Sequence, residues 1–251
     1  MLEHVRNLLY RKPELYESVY PEPNGETACM CRRMFQQFLG RSPASVLDIG
    51  CGTGRDLAGL SPECPVCVGV DALPEMIACA RSARPQIELH VGDMRTVRLG
   101  RSFDAIMCMG SAFMYALTNS DVDQTLDTFV AHAHAGTLLI LDINNAAACL
   151  PGGCFQQDID SEVALPEFTA QRRVQHTFDR RRQLLIRRRT WLIPGEPSIE
   201  DYCEYRLFFP AELEHLLQQK GFRTVGMFDN MDLRDSDLSG ARLYVASLFG
   251  A

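Results

Sequence analysis

The chain has 251 residues, of which 46% are hydrophobic and 23% charged, and its net charge is −7. These values are typical of one large globular domain, or of a core domain with an insertion, and they exclude disordered, collagen-like and coiled-coil proteins. The acidic balance argues against a nucleic-acid partner, and no apolar run reaches the roughly 20 residues needed to span a membrane. The first twenty residues show no secretory signal pattern, so we expect a cytoplasmic protein.

The ten cysteines of the chain do not follow a metal-binding pattern. Most of them lie in apolar or glycine-rich segments, where free cysteine behaves as a small hydrophobic residue. Cys64 and Cys67 form one CxxC pair, but no second pair follows at zinc spacing. A turn leading into a buried strand is therefore favoured there over a zinc site or a redox dithiol. We expect no catalytic metal, because the sequence offers no HExxH or acidic-triad pattern.

Apolar runs alternate with helical patterns from about residue 25 to residue 145. Strands that are apolar throughout and alternate with helices indicate a parallel sheet covered on both faces. The predicted strands are 46–49, 67–71, 87–91, 103–109 and 137–143. The predicted helices between them are 55–60, 73–84 and 122–133. This part of the chain is therefore assigned to the α/β class.

The pattern changes after residue 155, where the helical periodicity disappears. Segments 183–187 and 190–193 are typical of antiparallel strands, and the prolines and glycine of 194–197 indicate a turn. A helix is predicted to begin at Pro210 and to end at Gly221, followed by strands 223–228 and 242–248. The N-terminal 40 residues predict two helices, broken near Pro13 and near 21–23.

Three glycines at alternate positions follow the first predicted strand, in the segment Gly50-Cys51-Gly52-Thr53-Gly54. Glycine allows the backbone to approach a ligand without a Cβ clash, and the helix that begins next adds free N–H donors. A turn of this kind can hold the polar part of a nucleotide-like ligand. The dinucleotide pattern GxGxxG/A would require a small residue at position 55, where this chain has Arg55.

Two carboxylates follow the next two strands and strengthen this interpretation. Asp71 ends the second strand, twenty-one residues after Gly50, where an acid can accept hydrogen bonds from both ribose hydroxyls. Asp93 follows the third strand and can accept from the exocyclic amine of an adenine. Neighbouring parallel strands end at one edge of a sheet, so these groups should converge on one crevice.

With this glycine spacing the chain resembles the class I S-adenosylmethionine (SAM)-dependent methyltransferases. The resemblance rests on 47–54, 69–71, 92–94 with 103–105, 207–213 and 220–222, and it extends over roughly residues 10–250. Within the family the chain is most similar to bacterial small-molecule enzymes such as amino-sugar N-methyltransferases. The resemblance implies a Rossmann-like, seven-stranded, mostly parallel sheet with an inserted antiparallel β segment. It divides the chain into a helical lid (1–40), a SAM-binding core (41–150), the insertion (151–209) and a C-terminal helix with two strands (210–251).

The resemblance also implies a set of SAM-binding residues, which lie in the lid and at the strand ends. These are Tyr20, Asp48, Gly50, Cys51, Gly52, Gly54, Asp71, Ala72, Met76, Gly92, Asp93, Met94, Met109, Gly110 and Ser111. A tyrosine ring of the lid, such as that of Tyr16, can stabilise the cationic sulfonium. For Asp48 the alternative is that its carboxylate only caps the loop backbone.

The methyl acceptor is predicted to bind beside the fourth and fifth strands, under the insertion and the lid. Candidate catalytic residues are Tyr16, Tyr115, Asp142 and Asn145, with simple packing or a polar turn as the alternatives. His176 is a candidate base or a structural histidine. Methyl transfer to N or O of a small bacterial natural-product metabolite is expected, since displacement at a sulfonium mainly requires alignment. The alternatives are a SAM-fold protein without methyl transfer and an NAD(P)-dependent reductase.

The segment 172–189 holds eight arginines and a single acid, Asp179. A solvated sheet face or a homodimer interface is favoured over a patch for an acidic substrate or nucleic acid, because aromatic residues that could stack on bases are few. Replacement of arginines 187–189 is accordingly expected to disturb solubility or subunit association.

Overall fold

The computed structural model, which describes residues 8–22, 24–165 and 168–250, contains two β-sheets. The larger sheet has seven strands in the order β10-β11-β5-β4-β1-β2-β3. β11 runs antiparallel to its neighbours β10 and β5, and the other six strands run in one direction. Its strands are β1 (Ser45–Ile49), β2 (Val66–Asp71), β3 (Glu88–Val91), β4 (Ala105–Cys108), β5 (Leu138–Asn144), β10 (Phe222–Phe228) and β11 (Arg242–Phe249). The predicted fold class is confirmed.

Helices cover both faces of this sheet. The helices are α1 (Leu8–Arg11), α2 (Pro13–Val19), α3 (Glu26–Leu39), α4 (Arg55–Leu60), α5 (Pro74–Ala83), α6 (Asn119–Ala131) and α7 (Pro210–Gln219). One apolar cluster joins α3, α4 and α5 to one face, and another joins α6 and α7 to the other. Along β1, Val46 belongs to the first cluster and Leu47 to the second, as the two-residue period of a strand requires. The central strands are apolar throughout for this reason.

The second sheet is antiparallel and has four strands in the order β6-β7-β8-β9. They are β6 (Asp158–Ala164), β7 (Thr169–Asp179), β8 (Leu184–Leu192) and β9 (Ile199–Arg206). The predicted antiparallel insertion is confirmed, but the division of 183–193 into two strands is wrong. The three arginines at 187–189 interrupt the apolar run without ending β8, since successive arginines lie on opposite faces of the strand.

The N-terminal segment contains three helices within the described residues, α1, α2 and α3, where two were predicted. Pro13 separates the first two because proline begins α2 at its first turn, and Gly25 precedes α3 with a left-handed φ of 60°. Residues 1–7 of the predicted lid lie outside the described residues, as does residue 23. Below, "the lid" means α1 and α2, and "the roof sheet" means β6–β9.

The lid packs on the roof sheet rather than on the large sheet alone. Leu8 and Leu9 are buried with Trp191 and Ile193 of the roof sheet in a third apolar cluster. Buried aromatic and aliphatic surface of this kind stabilises the contact between the two elements. None of the helices within the described ranges has the length and apolar character that crossing a bilayer would demand.

Candidate active site

A cavity of about 300 Å³ opens at the carboxyl ends of the central parallel strands. This is the edge at which open α/β sheets place their ligands. Most of the residues predicted to form the site line it. They are Tyr16, Asp48, Gly50, Cys51, Gly52, Asp71, Ala72, Met76, Gly92, Asp93, Met94, Met109, Gly110, Tyr115 and Asp142.

The glycine turn after β1 forms one wall of the cavity. Gly50, Gly52 and Gly54 have φ angles of 86°, 53° and 74°, a region that residues with a Cβ rarely adopt. A Cβ at position 50 would collide with the side chain of Ala112, whereas a Cβ at position 52 would project into open space. Gly50 is therefore required by packing, and Gly52 leaves room for a ligand. Gly54 lies behind the turn at the start of α4 and does not line the cavity.

The carboxylate of Asp71 is oriented by two backbone amides. Oδ2 accepts from the N–H of Gly52, and Oδ1 accepts from the N–H of Leu73, both at 2.9 Å. Burial raises the pKa of Asp71, and these two hydrogen bonds partly oppose that rise. Each oxygen keeps a lone pair for a further donor, so the side chain can bind a pair of hydroxyls as well as hold the turn.

Asp93, after β3, is held as a carboxylate by Arg95. The Arg95 Nη2 lies 2.5 Å from Oδ2 of Asp93, and its Nη1 lies 2.9 Å from Asp121 on α6. These hydrogen bonds lower the pKa of Asp93. An ionised, oriented carboxylate at this position can accept a hydrogen bond from an amino group in the cavity.

Acidic side chains on either side of the glycine turn in the chain also line the cavity and are not fully hydrogen bonded. Asp48 and Asp56 each have a buried carboxyl oxygen, Oδ1, without a hydrogen-bond partner among the described residues. Burial raises the pKa of Asp56 to about 7 and that of Asp48 well above its usual range. Glu22 and Arg55 line the same wall, with Arg55 Nη2 at 3.5 Å from Glu22 Oε1. Such a wall favours a bound cation, because a cation stabilises the ionised carboxylates.

Asp142, at the end of β5, is joined to Arg242 of β11. Its Oδ1 accepts from Nε and Nη2 of Arg242, and its Oδ2 accepts from the N–H of Gly110 at 3.0 Å. The Nη1 of Arg242 also donates to Ser111 Oγ at 2.9 Å. Ser111, which was predicted as a site residue, has a left-handed φ of 68° and does not line the cavity. Its hydroxyl instead holds the side chain of Arg242.

Two more predicted residues lie outside the cavity. The amide nitrogen of Asn145 donates to the carbonyls of Leu238 and Gly240, and its amide oxygen accepts from the N–H of Ala147, so its polar atoms are used by the fold. The hydroxyl of Tyr20 accepts from Arg189 of the roof sheet at 3.1 Å. Asn145 is therefore a structural residue in this geometry, and Tyr20 connects the lid to the roof sheet.

Tyrosine side chains form the wall between the cavity and the roof sheet. Tyr10 and Tyr16 of the lid line the cavity together with Tyr115. The hydroxyls of Tyr10 and Tyr115 are 2.9 Å apart, and the Tyr115 hydroxyl donates to that of Tyr205 on β9 at 3.2 Å. Burial raises the pKa values of Tyr16 and Tyr115, which keeps their hydroxyls protonated. These side chains can orient an acceptor, but they are poor proton acceptors at neutral pH.

The arginine-rich segment does not form one solvated face. Arg189 is buried and pairs with buried Asp201 at 2.8 Å, while Arg187 lies with its guanidinium carbon 4.9 Å from the centre of the Tyr205 ring. Only Arg188, between them, is exposed. The expectation of a solvated face is wrong for Arg189, because the lid covers the face of the roof sheet that carries Arg187 and Arg189. A role of the exposed arginines in a homodimer stays a prediction.

His176 also lies on the covered face, opposite Arg187 in the β7–β8 register. Its Nδ1 is 3.1 Å from the carbonyl oxygen of Gln157, so Nδ1 is the donor and Nε2 carries the lone pair. Burial lowers the pKa of His176. The side chain does not line the cavity.

Cys64 follows a turn and Cys67 lies in the buried strand β2, as the sequence predicted. Cys64 and Cys67 are buried, and the Cys67 thiol donates to the carbonyl of Cys64. Burial raises the pKa of Cys64 to about 11, which disfavours a thiolate ligand. Within the described ranges, no group of three or more His, Cys, Asp or Glu side chains is arranged to hold a metal ion.

Several cavity residues were not singled out from the sequence, chiefly Glu22, Asp56 and Arg242. Asp56 lies in the first turn of the helix that follows the glycine turn, and this position could have identified it. Glu22 and Arg242 reach the cavity only through the lid connection and the pairing of β11 with β5.

Comparison with known proteins identifies the core. Residues 46–136 match the family model described as a methyltransferase domain. The chain is 35% identical over 99 residues to the dTDP-3-amino-3,6-dideoxy-alpha-D-glucopyranose N,N-dimethyltransferase of Streptomyces fradiae, covering 39% of either chain. It is 33% identical over 131 residues to the dTDP-3-amino-3,4,6-trideoxy-alpha-D-glucopyranose N,N-dimethyltransferase of Streptomyces venezuelae, covering 51% of this chain and 55% of that one. The matched regions thus span about half or less of these relatives.

Solved structures extend the similarity of the fold over the whole chain. A SAM-dependent methyltransferase from Clostridium acetobutylicum matches 98% of this chain and 100% of its own length, with a TM-score of 0.81 and 17% identity. A SAM-bound amino pentose methyltransferase from Micromonospora echinaspora matches 97% of this chain and 99% of its own, with a TM-score of 0.77 and 23% identity. The resemblance to SAM-dependent methyltransferases is confirmed.

Proposed function

Because residues 46–136 carry a methyltransferase domain, we propose that the protein transfers a methyl group from SAM to an amino nitrogen of a small-molecule acceptor. One observation carries the proposal. The glycine turn after β1, Asp71 after β2 and Asp93 after β3 line one cavity beside an acidic wall. This arrangement offers hydroxyl-binding, amine-binding and cation-binding groups in one place, as a nucleoside with a cationic amino acid tail requires.

The residues present fit SAM as cofactor. Gly52 leaves open space where a side chain would otherwise project, and Asp71 has free lone pairs for the ribose hydroxyls. Asp93 would accept from the adenine amine. Asp48 and Asp56 each have a buried oxygen without a hydrogen bond, which would receive the ammonium group of the methionine part. When bound, SAM supplies a methyl group on a positively charged sulfur, which departs as a neutral thioether.

Nitrogen is favoured over oxygen as the accepting atom by the groups around the cavity. A hydroxyl acceptor benefits from a general base, whereas a neutral amine does not need one. Tyr16 and Tyr115 stay protonated, and Asp142 is engaged by Arg242 and the Gly110 amide. The chain therefore mainly aligns the acceptor and excludes water, as an in-line displacement requires.

An amino sugar of bacterial natural-product biosynthesis is the proposed acceptor class. The two Streptomyces relatives are named for N,N-dimethylation of dTDP-linked amino sugars. The free cysteines of the described chain are compatible with a reducing, cytoplasmic compartment. A homodimer stays a prediction, which sedimentation of the purified protein would test.

Calorimetry with S-adenosylhomocysteine, the demethylated product, tests the cofactor assignment. Asp71→Ala is expected to weaken binding about 10- to 100-fold, since a charge-assisted hydrogen bond contributes about 1.5–3 kcal/mol. The control is Asp235→Ala, which removes an exposed carboxylate on a surface loop. An unchanged dissociation constant for Asp71→Ala would refute the ribose assignment.

Product mass tests the reaction itself. Incubation with SAM and a panel of nucleotide-linked and free amino sugars should yield an acceptor heavier by one or two methyl groups. Tight binding of S-adenosylhomocysteine without any methylated product would indicate a SAM-fold protein that does not transfer methyl groups. Stabilisation by NADH in place of S-adenosylhomocysteine would instead favour a reductase.

A further inference from the structure

The connection between β5 and the roof sheet contains a tight turn that begins and ends with a cysteine. The segment reads Cys149-Leu150-Pro151-Gly152-Gly153-Cys154. The N–H of Gly153 donates to the carbonyl of Leu150 at 2.9 Å, which closes a four-residue β-turn. Gly152 has a φ of 85°, as the third residue of a type II turn requires, and proline is favoured at the second position, where Pro151 stands. The chain therefore reverses its direction between the two cysteines.

Two backbone hydrogen bonds bracket this cysteine pair. The turn bond of Gly153 lies inside the pair, and outside it the N–H of Phe155 donates to the carbonyl of Ala148 at 3.2 Å. Cys149 and Cys154 thus occupy opposite positions between two bonds that cross the turn. Residues opposed in this way in an antiparallel hairpin have Cα atoms about 4.5–5.5 Å apart, and a disulfide spans about 4.4–6.8 Å. Glycine is required at position 153 for this approach, because a Cβ there would collide with the carbonyl oxygen of Ala148.

The two thiols differ in exposure and influence each other's charge. Burial raises the pKa of the Cys149 thiol, and a negative charge on Cys154 raises it further. An effect of one thiolate on the other requires proximity, since the interaction of two charges falls with distance. All ten cysteines are described, and Cys154 is the exposed one, whereas Cys149 is half-buried. Cys154 can therefore react with a reagent from solvent, and Cys149 is the thiol next to it.

The thiol of Cys154 also connects the turn to the segment between β10 and β11. Its Sγ donates to the carbonyl oxygen of Ser239 at 3.5 Å. Asn145, at the end of β5, donates to the carbonyls on either side of Ser239. A sulfur in a disulfide has no proton to donate, so oxidation would remove the contact with Ser239 and leave those of Asn145 in place. The same segment carries Met231, which lines the cavity.

We propose that Cys149 and Cys154 form a redox-reactive dithiol, which a peroxide converts to an intramolecular disulfide. The Cys154 thiolate first attacks one oxygen of hydrogen peroxide, and the O–O bond breaks to give a sulfenic acid and one water. The Cys149 thiolate then attacks the sulfur of Cys154, the S–S bond forms, and the hydroxyl group leaves as a second water. Two thiols are thereby oxidised by two electrons, one peroxide is reduced, and both thiol protons end in water.

The intact mass of the full chain, measured after treatment of the reduced protein with hydrogen peroxide, tests this assignment. The unsubstituted protein should lose the mass of two hydrogen atoms, and dithiothreitol should restore the original mass. Cys154→Ser should abolish the loss. Cys149→Ser should instead gain one oxygen, because the sulfenic acid on Cys154 then has no thiol partner. The control is Cys29→Ser, which removes another half-buried thiol, on α3, and should keep the loss of two hydrogens.

Several results would overturn the proposal. An unchanged mass of the unsubstituted chain, or a gain of oxygen without loss of hydrogen, would show that the two thiols do not combine. A disulfide-linked dimer on a non-reducing gel would assign Cys154 to a contact between chains. Loss of two hydrogens in Cys149→Ser or Cys154→Ser would place the disulfide between other cysteines. Thermal unfolding of the reduced variants shows that each is folded, and the outcome is independent of methyl transfer, because no step involves the cavity.

Discussion

At the scale of single residues, Asp56 has the environment best suited to sense the cofactor. It lies in the first turn of α4, lines the cavity and has a buried oxygen, Oδ1, that makes no hydrogen bond with any described residue and lies 3.8 Å from Arg55 Nε. Burial, with Glu22 nearby, raises its pKa to about 7, against the opposing effect of Arg55. The side chain is therefore partly protonated near neutral pH when the cavity holds no cation.

Binding of S-adenosylhomocysteine should consequently tighten as the pH rises. Below about pH 7 the Asp56 proton must be released before the carboxylate can meet an ammonium group, so the affinity is expected to increase about tenfold between pH 6 and pH 8. In Asp56→Asn, affinity should be lower and nearly independent of pH over this range. Calorimetry at each pH checks this, and a pH slope retained by Asp56→Asn would assign the titration to another group.

Arg187 and Arg189 are neighbours on one face of β8, but they should respond oppositely to removal of their charge. Arg189→Met leaves buried Asp201 without its ion-pair partner, which is expected to lower the free energy of unfolding by about 3–5 kcal/mol. Arg187→Met removes a partly buried cation that has no carboxylate partner among the described residues, and should leave stability unchanged or raised. Urea denaturation measures both changes. A large loss of stability in Arg187→Met would mean that this arginine stabilises the fold.

At the scale of elements, the lid is attached to the glycine turn as well as to the roof sheet. Glu17 of α2 accepts from Thr53 Oγ1 and from Arg84 Nη2, both at 2.7 Å. Arg84 also donates to the backbone carbonyl of Thr53 at 3.0 Å. The side chain of Glu17 thus connects the lid to the glycine turn and to the C-terminal end of α5.

Replacement of Glu17 should loosen the lid without unfolding the core. The ion pair is partly exposed, so Glu17→Gln is expected to cost about 0.2–1 kcal/mol, which corresponds to an affinity for S-adenosylhomocysteine that is about 1.4- to fivefold weaker. Amide hydrogen exchange of α1 and α2 should become faster while that of the large sheet stays the same. Ser18→Ala, the next residue of the same helix, is the control. Unchanged exchange in Glu17→Gln would show that the roof sheet alone holds the lid.

At the scale of the whole molecule, three parts meet around one cavity: the large sheet, the lid and the roof sheet. The large sheet supplies the glycine turn and the strand-end carboxylates of Asp48, Asp71 and Asp142. The lid and the side chain of Tyr115 cover them. No described residue of the roof sheet lines the cavity, but Tyr205 of this sheet is hydrogen bonded to Tyr115, which does. Under the proposed function, the cofactor would be bound at the strand ends of the large sheet, and the lid and Tyr115 would face the acceptor.

Methyl transfer is expected to survive chelation. The described residues offer no group of ligands for a metal ion, and a sulfonium needs no Lewis acid to activate it. Turnover measured by product mass should be the same with and without EDTA. A loss of activity on chelation that magnesium restores would contradict metal independence.

The order of strands and helices in the core could be predicted because it depends on local patterns. Apolar runs of four to seven residues separated by amphipathic helices specify a doubly covered sheet, and the glycine turn and Asp71 mark where its strands end. The strand-end residues Asp48, Asp71, Asp93 and Asp142 accordingly line the cavity as predicted from the sequence. The position of Asp56, in the first turn of the helix that follows the glycine turn, could have been used in the same way to predict that it lines the cavity.

Only the tertiary structure decided which polar side chains serve the site and which serve the fold. A strand alternates its side chains between two faces, but the sequence does not say what covers each face. The lid covers one face of β8, so Arg189 is buried, Arg187 is partly buried and Arg188 is exposed, although all three are adjacent arginines. Likewise, β11 pairs with β5 across about a hundred residues and brings Arg242 to Asp142. Contacts at such sequence separation arise from packing between elements, and no local pattern of residues encodes them.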